Sequence, residues 1–276
     1  MIKRIINRAI YHLGRFLCQY RGKWFVDKIA DKTYLFLRHL NNVNFQPSKN
    51  GEHRIIEIIS KHKPKCIFDV GANIGEWSQC VSQMNPEATI HSFEIVSSTY
   101  QQLLTSIKDN TNIRANNFGL SDKNESITIS MADDSSTATS CKIIGMKSHE
   151  EYYKQDYECE VRKASDYINS SKIAKIDFVK IDVEGMDLKV IKGFENEIDK
   201  VRVIQFEYGI FNIASHDLLT DFCYFLNTRG FIVGKIFPLV VQFFEYQFQF
   251  ENFHGSNYIA VRKDDMKLID DLKRFG

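Results

Sequence analysis

Eight residues in four short segments of this chain could do chemistry together. Asp69, Gly71, Asn73 and Gly75 lie in CIFDVGANIG (66–75), and Glu94 ends ATIHSFE (88–94), 23 residues after Gly71. Asp182 and Glu184 lie in VKIDVEG (179–185), and Glu207 lies in IQFEYG (204–209). Glycine at a strand end lets the backbone approach a ligand closely. A carboxylate at the tip of the next strand can accept both hydroxyls of an adenosine ribose. Asp182, Glu184 and Glu207 fall where apolar runs stop, so they are expected at one edge of a sheet. Acids packed together raise each other's pKa, which makes one of them a better base toward a hydroxyl proton. The plainer reading is capping: Glu184, just before Gly185, also suits a helix N-terminus.

The turn narrows the cofactor. A dinucleotide site wants GxGxxG, yet the third position here is Asn73, which still tolerates positive φ. DVGANIG fits the D-x-G-x-x-x-G turn of S-adenosylmethionine-dependent methyltransferases better. An acid at position 69 suits a cationic amino-acid tail and suits a pyrophosphate poorly. Two alternatives stay open: an NAD- or nucleotide-sugar-using enzyme on the same scaffold, and a non-catalytic binding module. Asn73 and Asp69 speak against the first. Four intact acids, Asp69, Glu94, Asp182 and Glu207, speak against the second.

An alternating pattern of helices and strands must position these residues, which implies a mainly parallel sheet with helices on both faces. Strands are expected at Cys66 to Val70, up to Glu94, at Ile113 to Asn117, Phe178 to Val183, Val203 to Phe206 and Tyr258 to Val261. Helices are expected between them, with one at Leu218 to Arg229 ended by Gly230. Ile127 to Met131 and Glu158 to Lys163 alternate and should pair as an antiparallel hairpin. The polar stretch Asp133 to Ser140 between them reads as a loop. Lys180 is expected near the site edge or snorkelling. His254 is a lone histidine with either a base or a structural role. The aromatics of Phe237 to Phe253 suit strand core and dimer contacts, or stacking on a sugar.

Length and composition exclude several classes. The 276 residues are 43% hydrophobic and 26% charged with net charge +1, as in ordinary globular proteins. Six scattered cysteines, none in CxxC spacing, offer no zinc site or redox pair. No metal ligand is assigned, a divalent ion held by the clustered acids being the alternative, and a reducing cytoplasm suits the cysteines. No apolar run approaches the ~20 residues of a membrane span. No basic stripe with interleaved aromatics marks the main domain, so no nucleic-acid partner is expected.

Residues 1–50 stand apart as a helical extension, with the main domain at 51–276. Ile2, Ile5, Ile6, Ala9, Ile10, Leu13, Phe16, Leu17 and Tyr20 recur at helical spacing, and Lys3, Arg4, Arg8 and Arg15 fill the other face. Such a helix either docks on the domain or lies peripherally on the inner, anionic membrane surface.

FDVGANIGEWS (68–78), VKIDVEGMDLKVIKGF (179–194) and IQFEYG (204–209) together resemble the FkbM-type methyltransferase family. KIDVEG followed by a helix and Gly193-Phe194 is the most specific part, and the resemblance spans about residues 52–263. It implies a Rossmann-like class I methyltransferase fold with a seven-stranded sheet whose last strand is antiparallel. It implies S-adenosyl-L-methionine as cofactor and O-methylation of a sugar in a surface glycan or of a secondary metabolite. By the same resemblance Asp69, Gly71, Asn73 and Gly75 surround the methionine part, with Ser78 helping to bind its carboxylate. Glu94 holds the ribose, Asn117, Gly119 and Leu120 lie by the adenine, and Asp182 has a cofactor or catalytic role. Phe237 to Phe253 departs from any recognisable acceptor signature.

Overall fold

Strands β1 (Cys66–Val70), β2 (Thr89–Phe93), β8 (Phe178–Ile181) and β9 (Val203–Glu207) are buried almost throughout. Unbroken apolar runs do this when helices cover both faces of a parallel sheet. The computed structural model describes residues 2–132, 138–139, 141–255 and 257–274. It divides into two compact units, Met1–Val43 and Asn44–Gly276.

The larger unit is built on a sheet of eight strands, one more than expected. Its remaining members are β3 (Ile113–Asn116), β10 (Phe231–Ile236), β11 (Val241–Phe243) and β12 (Asn257–Arg262). Their order is β11-β10-β12-β9-β8-β1-β2-β3. β3, β2, β1, β8 and β9 are parallel, while β12 is antiparallel between β9 and β10. The extra strand β11 comes from the aromatic stretch and pairs antiparallel with β10 at the sheet's edge. Three residues are too few for a period-two pattern to show in sequence.

Alternation along each strand separates two cores. Phe68, Val70, Phe93, Val179, Ile181 and Phe206 face one way and pack on helices Ala164–Ser170, Asp187–Gly193 and Leu219–Thr228. Ile67, Ile90, Phe178, Val203 and Ile259 face the other and meet helices Glu52–Lys61, Glu76–Met84, Ser97–Ser106 and Met266–Lys273.

A second sheet joins β4 (Gly119–Ser121), β5 (Glu125–Ala132), β6 (Ala138–Thr139) and β7 (Tyr153–Lys163) in the order β4-β7-β5-β6. The expected hairpin is its centre, with Ile127 opposite Cys159 and Met131 opposite Gln155. Of the expected loop Asp133 to Ser140, residues 133–137 and 140 lie outside the described residues. The aromatic stretch is held by Glu251. Its carboxylate accepts the Tyr208 hydroxyl (2.6 Å), the Tyr246 hydroxyl (2.9 Å) and the N–H groups of Leu219 (3.1 Å) and Thr220 (2.8 Å).

The smaller unit consists of two 17-residue helices, Ile2–Cys18 and Trp24–Leu40, joined by a turn with Gly22 at φ +90°. No helix among the described residues is long and apolar enough to cross a membrane.

Candidate active site at the carboxyl edge of the sheet

The glycine turn is fixed by the strands on either side of it. The Phe93 carbonyl accepts the N–H groups of Gly71 (3.0 Å) and Ala72 (2.9 Å), and the Asp182 N–H donates to the Val70 carbonyl (3.0 Å). Gly71 sits at φ +83°, and a Cβ there would fall 2.0 Å from the Asp182 carbonyl oxygen. Only glycine permits this crossing of β1 and β8 backbones. Asn73 takes φ +51° and accepts the Ile74 N–H on its own side chain (2.7 Å). Gly75, at φ +91°, abuts Leu103.

Glu94 closes this turn. Its carboxylate accepts the N–H of Asn73 (2.9 Å) and of Val96 (2.8 Å), which holds it rigidly against the glycine backbone. Burial pushes its pKa up to about 7, against the pull of those two N–H groups. Asn117 donates to the Glu94 carbonyl (3.0 Å) and accepts from Ser97 Oγ (3.0 Å), bracing the loop after β2.

Beneath the turn lies a buried ion-pair cluster. Asp69 and Lys180 are directly opposite each other on β1 and β8. Lys180 Nζ stands 3.1 Å from Asp182 Oδ2 and 3.7 Å from Asp69 Oδ1. Its ammonium also lies 5.8 Å from the Trp77 ring centroid. Burial alone would discharge Lys180, but the carboxylates of Asp182 and Asp69 hold its pKa above the usual value. Burial raises Asp69, an effect that Lys180 and the Ser78 hydroxyl only partly offset. Lys180, expected near the site edge or snorkelling, is instead drawn inside by Asp69 and Asp182.

The third group is acidic. Asp182, Glu184 and Glu207 are all partly open to solvent, at the ends of β8 and β9. Glu184 takes φ +54° and is followed by Gly185 at φ +99°. Burial first, then Asp182 and Asp187, pushes Glu184 up to about 8. Glu207 is raised well above the carboxylate range by burial, then by Asp182, Glu184, Asp187 and Glu52. These shifts put the three acids within reach of one another's charge. Asp187 is fully buried, accepts the Glu207 N–H on Oδ1 (3.0 Å) and ties the following helix to β9. Behind Glu207, Glu52 accepts from Asn50 (2.6 Å), Asn257 (3.1 Å) and Gln205 (3.2 Å). Asp187, Glu52, Gln205 and Asn257 carry no local signal in the sequence, since none ends an apolar run beside a glycine.

Three expected cofactor contacts are placed differently. Ser78 is fully buried, donates to Asp69 Oδ2 (2.6 Å) and shares a hydrogen bond with Ser92 Oγ (2.7 Å). It holds Asp69 from behind instead of facing a carboxylate ligand. Gly119 packs against Ile95 and Val161 within the second sheet. The Leu120 side chain is buried in the core with Phe118 and Ala164, so it does not line an open surface. His254 lies just before β12, where its backbone N–H donates to Asn252 Oδ1 (3.0 Å). Among the described residues no group of three or more His, Cys, Asp or Glu side chains is arranged to hold a metal.

Comparison with known proteins gives a consistent family. The family model for the methyltransferase FkbM domain matches residues 69–233, starting at the buried Asp69. "Methyltransferase 1" of Beauveria bassiana (strain ARSEF 2860) is 23% identical over 146 residues, which is 48% of this chain and 59% of that protein. The match thus spans less than two thirds of that relative's length. Among solved structures, the FkbM methyltransferase of Methylobacillus flagellatus KT aligns with TM-score 0.46 and 15% identity, over 72% of this chain and 44% of that one. The O-methyltransferase TomG of Streptomyces achromogenes aligns with TM-score 0.45 and 11% identity, over 76% and 78%. Neither structural likeness is close enough to carry a functional reading. The match over 69–233 covers more than half the sequence and contains the glycine turn, Glu94 and all three partly open acids, and the chain belongs to the methyltransferase FkbM family.

Proposed function

We propose that the protein is an S-adenosylmethionine-dependent O-methyltransferase whose acceptor is a hydroxyl of a sugar, in a surface glycan or a secondary metabolite. The observation that carries this reading is the convergence of Asp182, Glu184 and Glu207 beside the Gly71–Gly75 turn. The turn suits the cofactor: Gly71 and Gly75 at positive φ bend the backbone at the end of β1, and the Glu94 carboxylate is fixed where ribose hydroxyls could donate to it. Asp182, partly open to solvent and held by Lys180, offers an acceptor for an ammonium group, with the buried Asp69 behind it. When bound, the sulfonium cofactor supplies an electrophilic methyl with an excellent leaving group.

The chain's own residues then have two tasks. One is alignment of the acceptor oxygen, which supplies most of the rate in an in-line displacement. The other is removal of the hydroxyl proton. Asp182 is engaged by Lys180 at 3.1 Å, so Glu184 and Glu207 are the better bases. Burial and neighbouring carboxylates raise both above the ordinary range, and the member that ionises takes the proton from the acceptor oxygen.

Calorimetric titration with S-adenosylmethionine, and with NAD in parallel, tests the cofactor. Micromolar binding of the first alone, about −8 kcal/mol, is the expected result; binding of NAD instead would overturn the reading. Glu94→Ala should weaken S-adenosylmethionine binding roughly 10- to 100-fold, the loss typical of hydrogen bonds to a charged group. Unchanged affinity in that variant would remove Glu94 from the ribose site.

A further inference from the structure

We infer that the unit Met1–Val43 is an interfacial anchor that seats the protein on an anionic lipid surface. Charge is divided sharply along the chain. Residues 1–43 contain nine Lys and Arg against two Asp, a net +7, whereas residues 44–276 contain 27 against 33 Asp and Glu, a net −6. The basic unit is also the one with exposed apolar stripes. On the first helix Ile5, Ile6, Ile10, Leu13 and Phe16 are each 51–64% exposed, with Arg4, Arg8 and Arg15 at positions on the opposite face. On the second, Phe25, Ile29, Phe36 and Leu40 form another exposed stripe.

Cationic and aromatic groups pair on the faces away from these stripes. The Lys28 ammonium lies 4.8 Å from the Trp24 ring centroid, and the guanidinium groups of Arg15 and Arg38 lie 5.9 Å from the rings of Tyr11 and Tyr34. Tyrosine and tryptophan rings favour the headgroup level of a bilayer, where long basic side chains can snorkel outward. Seventeen residues at 1.5 Å each, interrupted by arginine, are too short and too charged to cross. A helix of this kind lies in the plane of the interface. A nucleic acid would use the positive charge but leave both apolar stripes in water. A lipid surface uses both.

The test is sedimentation of the full chain with vesicles of phosphatidylcholine alone and of phosphatidylcholine with one part in three phosphatidylglycerol. The anchor requires at least about tenfold tighter binding to the anionic vesicles, since each basic residue near such a surface adds to the attraction. That binding should be weakened by high salt, which shortens the Debye length to ~3 Å at 1 M. The triple variant Ile6→Asp, Ile10→Asp, Leu13→Asp should lose vesicle binding at least about tenfold, the cost of placing charges in the apolar layer. It should keep the parent's thermal unfolding and cofactor affinity, because those side chains are exposed. Failure to bind either vesicle, or equal binding to both, overturns the proposal. So does retained vesicle binding in the triple variant. A triple variant with a lowered unfolding temperature and no parental vesicle binding would show the stripe docked on the acidic unit. Concentration-dependent dimers abolished by the triple variant, again without vesicle binding, would assign the stripe to a second copy.

Discussion

Lys180→Met is expected to cost about 3–5 kcal/mol of folding stability, as removing one partner of a buried ion pair does. Asp69 is fully buried and, among the described residues, pairs with the Lys180 ammonium at 3.7 Å. Without the ammonium, burial of Asp69 is opposed only by the Ser78 hydroxyl, and its folded pKa rises further. A carboxyl with a raised folded pKa contributes most below its unfolded value, near 3.9, and loses that contribution as pH climbs through the folded value. The deficit of the variant should therefore be smaller in mild acid than at pH 8. Urea unfolding at both pH values checks this, with Lys180→Met/Asp69→Asn expected to recover much of the loss. Equal deficits at both pH values, or no recovery in the double variant, would mean that Lys180 is not holding a buried charge.

Glu207→Gln should lower kcat by about 10²–10⁴, the usual contribution of a positioned general base, while sparing cofactor affinity. In the parent enzyme kcat/KM should rise with pH through about 8, the value set for Glu184 by burial, Asp182 and Asp187. Below it the rate should fall about tenfold per pH unit, because the base must be ionised. Titration belongs to the Glu184–Glu207 pair, so Glu184→Gln should move the Glu207 inflection downward by removing one neighbouring charge. A flat profile between pH 6 and 9 would exclude both as the base. The same acids give the ligand-free protein an unusual stability profile. Asp187 is pushed up to about 7, mainly by burial, and Glu184 to about 8. Their raised values favour folding fully below the unfolded range near 4, and that benefit is lost as pH rises through 7 to 8. Thermal unfolding of the ligand-free protein should accordingly move to lower temperature between pH 6 and pH 9.

Much of the fold was legible because its signals are local. Continuous apolar runs marked β1, β8 and β9, and alternation marked the pairing of β5 with β7. The acids of the site were legible for the same reason, since each closes an apolar run. What escaped was decided by pairing at a distance. Lys180 and Asp69 are 111 positions apart in the chain and face each other only once β8 lies beside β1. Ser78 lies at the start of a helix, a position that suits ligand binding, yet Asp69 and Ser92 take its hydroxyl. Leu120 sits next to a glycine near the edge, but β4 pairs with β7 and turns that side chain inward.

The backbone at Glu184 carries a consequence for laboratory evolution. A glutamate at φ +54° gives up roughly 1–2 kcal/mol that a glycine would not, and its carboxyl is also held in a setting that resists ionisation. Selection for heat resistance alone would favour Glu184→Gly, relieving both penalties in one step. With Glu184 in the proposed role, selection for methyl transfer would restore glutamate. Libraries screened for thermal tolerance without an activity assay should therefore accumulate changes here early, and their hardiest members would be the least active.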